Sequence, residues 1–247
     1  MKVIILCAGY GRRLRPYTDI YQKSMILLHG KPLLEYIING VTSAGFTDFI
    51  LVVGYRKEQI INYFEDGKNW NINISYVEQK NLNGTGGALL VCEEFVKDSH
   101  FFVTYGDILV PNRIYREIYN NFKDKNHDFI LVANYTDNPY KGGSITCEGN
   151  YCAEIVEKPL KEAPHSNLNN AGVFIFSKEI FNVLKILKPS KRGEIELPDA
   201  INIGIKERNW KVIVIKMVKD DFRGDFGDLE VYEQLKNNKE WLSKLDS

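Results

Sequence analysis

The chain has 247 residues, 44% hydrophobic and 26% charged, ordinary for a globular protein with room for one large α/β domain or two small ones. Lys+Arg and Asp+Glu both number 32, so the net charge is zero, which argues against a general nucleic-acid or acidic-membrane binder and makes any basic site a local one. No apolar run reaches the roughly 18 residues of a membrane span. The N-terminal apolar stretch is short and ends in Gly-Arg rather than a signal-peptide cleavage site. The cysteines Cys7, Cys92, Cys147 and Cys152 lack metal-site spacing and read as small core residues in a reducing cytoplasm.

The first strand is expected over Lys2–Cys7. It runs into Ala8-Gly9-Tyr10-Gly11-Arg12-Arg13-Leu14-Arg15-Pro16, a glycine turn that holds three arginines. Glycines let backbone N–H groups approach a ligand, and guanidinium groups favour phosphate oxygens, so the segment reads as a grip on a polyphosphate. Two glycines alone would mean only a tight turn. Neither common phosphate fingerprint is present: Leu14 stands where a third glycine belongs, the second strand ends in Gly54-Tyr55 rather than an acid, and no Gly-Lys-Ser/Thr closes a P-loop. Lys23 follows. A loop lysine is usually solvated, but here it shares a short segment with Arg13.

Helices are expected at Pro32–Ala44, Lys57–Phe64, Gly86–Phe95 and Arg113–Phe122. Strands are expected at Phe49–Val53, Ile72–Val77, His100–Thr104 and Asp128–Asn134. This alternation predicts a mainly parallel sheet covered on both faces, with ligands bound outside the carboxyl ends of its strands. Gln79, after the third strand, offers a donor and an acceptor to a nucleobase edge, and Thr85 is placed to cap the helix that follows Asn83-Gly84. Asp107 stands just beyond the fourth strand, where a carboxylate can hold Mg²⁺ against phosphates; a turn aspartate is the structural alternative.

Beyond residue 135 the pattern changes. Ser144–Cys147 and Tyr151–Val156 flank Glu148-Gly149-Asn150 and read as a hairpin that ends in Glu157-Lys158-Pro159. Glu157 suits hydroxyls and Lys158 a phosphate, although two solvated charges before a proline are the simpler reading of that segment alone. Asn170–Phe176 and Trp210–Val218 read as strands. Lys178–Leu187, Ile195–Glu207 and Leu229–Leu245 read as helices. Asn170 offers an amide to another hydroxyl. The acids of Glu194–Asp199 match the positive end of the helix dipole. Asp225, between two glycines, is a second metal candidate, and Asp228 is expected to cap the last helix.

Taken in order, Gly9–Pro16, Lys23, Gln79 with Gly84-Thr85, Gly106-Asp107, Glu157-Lys158-Pro159, Asn170-Ala171-Gly172, Glu194–Asp199 and Asp225 resemble the sugar-1-phosphate nucleotidylyltransferases, the family of glucose-1-phosphate thymidylyl- and uridylyltransferases. The resemblance covers nearly the whole chain. It implies a Rossmann-like three-layer α/β sandwich with a mostly parallel mixed sheet and a smaller, hairpin-containing sugar-binding part. The expected organisation is one domain over 1–247, with about 1–135 for the nucleotide and about 136–247 for the sugar phosphate and C-terminal helix. By the same resemblance Ala8, Gly9, Gly11, Arg12, Arg13 and Lys23 hold the triphosphate, and Gln79, Gly84 and Thr85 meet the nucleoside. Asp107 and Asp225 bind Mg²⁺, and Gly143, Glu157, Lys158 and Asn170 meet the sugar phosphate. Arg13, Lys23, Asp107 and Lys158 carry the catalysis.

Three positions depart from the family pattern: Arg12 replaces a threonine, Gln22-Lys23-Ser24 replaces Pro-Lys-Pro, and Gly227-Asp228 replaces Gly-Thr. The Gly84–Ala88 loop also resembles heptose-phosphate guanylyltransferases, which leaves the base open. The implied partners are a nucleoside triphosphate and a sugar 1-phosphate, with self-association as in relatives, and no nucleic acid or membrane. The chain ends too soon after its last helix for an appended β-helix, so a second activity is not expected. Two other readings stay open: transfer to a non-sugar alcohol phosphate, with Tyr140 and Tyr151 caging a cation, and a nucleotide sensor that does not turn over.

Overall fold

Strand β1 (Val3–Leu6) is apolar without a break because both of its faces are covered. Val3 and Ile5 pack into one core and Ile4 into the other. The computed structural model describes residues 1–125, 127–162 and 166–246. Among them the main sheet is completed by β2 (Asp48–Val53), β3 (Asn73–Glu78), β4 (His100–Tyr105), β5 (Phe129–Tyr135), β6 (Gly143–Glu148), β7 (Tyr151–Glu157), β8 (Leu168–Ser177) and β9 (Val212–Lys216).

Across the sheet the order is β3-β2-β1-β4-β8-β5-β9-β7-β6. Strands β3, β2, β1 and β4 are mutually parallel, as are β5 and β9. Strands β8 and β7 point opposite to the other seven. The mixed α/β architecture with a mostly parallel sheet is therefore as expected, and one sheet joins strands from both parts of the chain. Leu6 pairs with both Val52 and Tyr105, and Val53 with Glu78, so β1 to β4 end level. The segments that leave those ends all open on one rim.

Helices close both faces. Leu33–Ser43 turns Leu33, Leu34, Ile37, Ile38 and Val41 inward at helical spacing, and Asn112–Lys125 buries Ile114 and Ile118 beside it. On the opposite face lie Thr85–Leu90, Glu179–Leu184 and Leu197–Arg208. Each fully buried Leu or Ile contributes about 1.5–3 kcal/mol relative to exposure.

Sequence periodicity misplaced some local features. The expected helix Leu229–Leu245 is two helices, Leu229–Asn237 and Glu240–Leu245. Asn238 is extended (φ −125°, ψ 135°) and its Oδ1 accepts from Glu240 N at 2.8 Å, the local side-chain bond by which asparagine competes with helix. The Gly86–Phe95 helix is Thr85–Leu90, followed by a separate 3₁₀ turn at Glu93–Phe95. Thr85 does not cap that helix: Gly84 stands at the cap position, and Thr85 Oγ1 accepts from Leu197 N at 3.1 Å. Asp228 caps its helix as expected, accepting from Glu230 N at 3.0 Å.

Among the described residues no helix is long and apolar enough to cross a membrane. The cysteines are free thiols; Cys7, Cys92 and Cys152 are buried and Cys147 is half-buried.

Candidate active site

The rim gathers these segments around a cleft of about 610 Å³. Every residue that the resemblance assigns to the site lines it: Ala8, Gly9, Gly11, Arg12, Arg13, Lys23, Gln79, Gly84, Thr85, Asp107, Gly143, Glu157, Lys158, Asn170 and Asp225. Seven basic side chains face four carboxylates there, so a chain of zero net charge carries a locally positive pocket.

The glycine turn leaves β1 with Arg12 and Arg13 exposed. Gly11 has φ +65°, where an added Cβ would lie 2.9 Å from Thr18 Cγ2 and 3.0 Å from Lys23 Cβ. Gly9 differs: a Cβ there would meet no protein atom within 4 Å. The bare backbone at Gly9 thus leaves the space above the turn open to a ligand. Arg12 stacks on Tyr10, with Cζ 5.0 Å from the ring centre, so it is partly committed to that ring. Arg13 points across the cleft: a Cβ on Gly227 would sit 2.8 Å from its Nη2 and 2.8 Å from Asp225 Oδ1.

Asp107 and Asp225, far apart in sequence, meet through a two-strand ribbon. Ile108 pairs with Asp225 and Leu109 with Gly224, and Phe226 N donates to Asp107 O at 3.0 Å. Lys23 Nζ is ion-paired to Asp107 Oδ2. Arg223 Nη2 lies 3.0 Å from Asp225 Oδ2, and Gly227 N donates to Asp225 Oδ1 at 2.8 Å. Burial pushes the Asp225 carboxyl up, but Arg223, Lys23 and the Gly227 N–H outweigh it and hold it below the usual range. These two carboxylates fit Mg²⁺, which takes one or two carboxylates and completes its shell with phosphate and water oxygens. Among the described residues no cluster of three or more His, Cys, Asp or Glu side chains could hold a metal.

Gln79 is buried, and its Nε2 donates to Asn83 Oδ1 at 3.1 Å and Gly84 O at 3.2 Å. Gly84 has φ +101°, and a Cβ there would lie 2.6 Å from Ile195 O. The loop is stitched to residues 192–196 by Ile195 N to Asn83 O and Gly86 N to Ile195 O, both 2.7 Å.

At the other end, Gly143 starts β6 and Glu157 ends β7, paired in register. A Cβ on Gly143 would sit 3.3 Å from Glu157 Oε2. Burial raises the Glu157 carboxyl, against the pull of Lys158 and Arg192. Lys158 is held at φ +46°, a strained conformation for a non-glycine residue, with its N–H donating to Gly142 O at 2.9 Å. Asn170 Oδ1 accepts from Gly172 N at 2.8 Å, which leaves its amide hydrogens as the group to offer a hydroxyl.

Sequence reasoning missed Tyr105, Arg192 and Arg223, which also line the cleft. The Tyr105 hydroxyl lies within hydrogen-bonding reach of both Thr85 and Asn170, between the two halves of the cleft. Arg192 is ion-paired to Glu196 and lies 3.8 Å from Glu157 and 3.6 Å from Glu194. Glu196 therefore faces Arg192 rather than acting only on the helix dipole: it makes no side-chain cap bond. Burial raises its carboxyl to about 7, with Arg192 opposing and Glu157 and Glu194 adding repulsion. Tyr140 and Tyr151 are not among the described residues that line the cleft, so nothing here forms an aromatic cage from them.

Comparisons with known proteins bear on the family and the fold. A family model for nucleotidyl transferases matches residues 2–240. The chain is 36% identical over 255 aligned positions to the bifunctional protein GlmU of Methanococcus aeolicus, covering 94% of this chain and 59% of that protein. It is 31% identical to the UTP–glucose-1-phosphate uridylyltransferase AglF of Haloferax volcanii, covering 83% and 84% of the two. The chain spans only 56–59% of the length of the GlmU relatives from M. aeolicus and M. maripaludis strain S2. A UDP-glucose pyrophosphorylase complexed with UDP-glucose matches the fold with a TM-score of 0.85 at 27% identity, covering 96% of this chain and 97% of that one. The resemblance read from the motifs is borne out at the level of family. This chain belongs to the nucleotidyl transferase family.

Proposed function

We propose that this protein transfers a nucleotidyl group from a nucleoside triphosphate to a sugar 1-phosphate and releases pyrophosphate. The carrying observation is the single cleft that brings the glycine turn with Arg13, Lys23, the Asp107/Asp225 pair and the Glu157/Lys158/Asn170 group together.

In this reading a sugar-phosphate oxygen attacks the α-phosphorus in line, forming a new P–O bond as the bond to the bridging oxygen breaks. The nucleophile is already anionic, so no side chain has to remove a proton. The protein's task is positioning and neutralisation of charge. Arg13 stabilises the α-phosphate oxygens, and Lys23 takes up charge that builds on the leaving pyrophosphate. Lys158 orients the attacking phosphate. Glu157 accepts sugar hydroxyls, and Asn170 donates to another. Asp107 and Asp225 are the groups that would hold Mg²⁺, which when bound lowers the charge on the phosphate oxygens.

Gln79 is placed to meet the base. Its Nε2 is engaged by Asn83 and Gly84, so Oε1 is the group left to accept an N–H, whether the ring N–H of uracil, thymine or guanine or the exocyclic amine of cytosine or adenine. The uridylyl-transferring relative AglF favours uracil. A matrix of nucleoside triphosphates against sugar 1-phosphates, read by pyrophosphate release, tests the reading: release should be greatest with UTP. Greater release with another triphosphate would contradict the choice of uracil, and release with none of them would reject transfer.

A further inference from the structure

Gln22 has no charge, yet it is a buried side chain directly beside Lys23 in sequence. It is 1% exposed and lines the cleft. Its Nε2 donates to Cys7 O at 2.5 Å, at the end of β1 where the glycine turn begins. Its Oε1 accepts from Ser24 N at 2.5 Å and caps the 3₁₀ turn Lys23–Met25. Its own N–H donates to Gln59 Oε1 at 2.7 Å, and Gln59 Nε2 in turn donates to Ile20 O at 2.8 Å. One residue thus ties three pieces together: its side-chain amide joins the start of the phosphate turn to the turn that carries Lys23, and its main-chain N–H holds the Lys57–Phe64 helix.

A long lysine on a loop would otherwise lose much of its aim to side-chain and backbone freedom. Here the backbone on both sides of Lys23 is fixed, and its ammonium reaches Asp107. The capping bond restrains the turn, and the Cys7 bond sets the height of that turn relative to the glycine turn. Replacing either end leaves a buried polar group without its partner.

We propose that Gln22 is a positioning residue for the transfer reaction: it acts through Lys23 and fixes that ammonium relative to the glycine turn. The proposal rests on the reading above, in which Lys23 neutralises the leaving pyrophosphate. Both ends of the amide matter. A side chain that only fills the space does not suffice, because a glutamate at this position would place a carboxylate against Cys7 O.

The test is a double-mutant cycle with Lys23→Ala, using UTP and glucose 1-phosphate as probes. Gln22→Ala and Gln22→Glu should each lower kcat about 10- to 100-fold, the scale of a misplaced catalytic group, with KM for the sugar phosphate unchanged. In the Lys23→Ala background the same changes should cost less than about 3-fold. Gln59→Ala, which leaves the amide itself intact, should give a smaller loss with the same coupling to Lys23. It also serves if the Gln22 variants fold poorly. Additive losses in the cycle, or full activity in Gln22→Glu, overturn the proposal. Hydrogen exchange supplies a readout independent of turnover. The Ser24 amide should exchange faster in Gln22→Ala than in wild type while the core strands are unchanged; unaltered exchange there would reject the clamp. Wild-type protein inactive with every triphosphate and sugar 1-phosphate of the matrix above would instead reject the reaction, leaving the exchange result to decide on Gln22.

Discussion

Lys23 and Asp107 form an ion pair in the cleft, although they lie 84 residues apart in sequence. The pair neutralises the carboxylate proposed to hold Mg²⁺, on the ribbon that also carries Asp225. Asp107→Ala should therefore leave a folded protein with a turnover loss on the order of 10³-fold or more, since an aimed charge is removed at the reacting phosphates. Steady-state pyrophosphate release and far-UV circular dichroism check it. Substantial magnesium-dependent activity in the variant would reject the role.

Arg13 is exposed, so its removal should not disturb the fold. Arg13→Ala is expected to lower kcat about 10²-fold, roughly 3 kcal/mol of transition-state stabilisation. Its Tm should stay close to that of wild type. A change confined to KM would show that Arg13 binds substrate and transition state alike.

Gly9 and Gly84 separate ligand space from backbone demand. A methyl group at Gly9 meets no protein atom, so Gly9→Ala should keep wild-type Tm while raising KM for the triphosphate. Gly84→Ala forces a Cβ to 2.6 Å from Ile195 O at φ +101° and should lower Tm by several degrees. Thermal unfolding with parallel kinetics distinguishes the two.

How much of this was legible in the sequence follows from how local each signal is. The Lys57–Phe64 helix has the expected bounds because its pattern and flanking turn lie within one short stretch. Strand ends were located to within a residue or two by their apolar runs. The meeting of Asp107 with Asp225 depends on a two-residue ribbon, Ile108–Leu109 with Gly224–Asp225, too short to leave a periodic trace. Arg223 stood in the segment already singled out, but its partner, two residues on, was read as the only functional group. Arg192 carries no signal in the sequence, since three carboxylates converge on it only after the Leu197–Arg208 helix packs against β7. The break at Asn238 was hidden because both short helices keep one apolar face.

Glu196 gives the fold a pH signature. Its carboxyl is raised to about 7 in the folded chain from an ordinary value near 4.5. Between these values the folded state binds more protons than the unfolded one, so this group's contribution to stability is present below about pH 4.5 and is lost as pH rises through 7. Glu196→Gln mimics the protonated form. Its Tm should gain on that of wild type as pH goes from about 4.5 to 7, then level off. The opposite trend would mean that the Arg192 ion pair outweighs burial.

The most direct measurement is pyrophosphate release from UTP and a panel of sugar 1-phosphates, with and without Mg²⁺, and the nucleotide product identified by mass spectrometry. The account predicts a UDP-sugar and pyrophosphate in equal amounts, dependent on Mg²⁺ and absent in Asp107→Ala. Tight UTP binding with no product from any triphosphate and sugar-phosphate pair would contradict it.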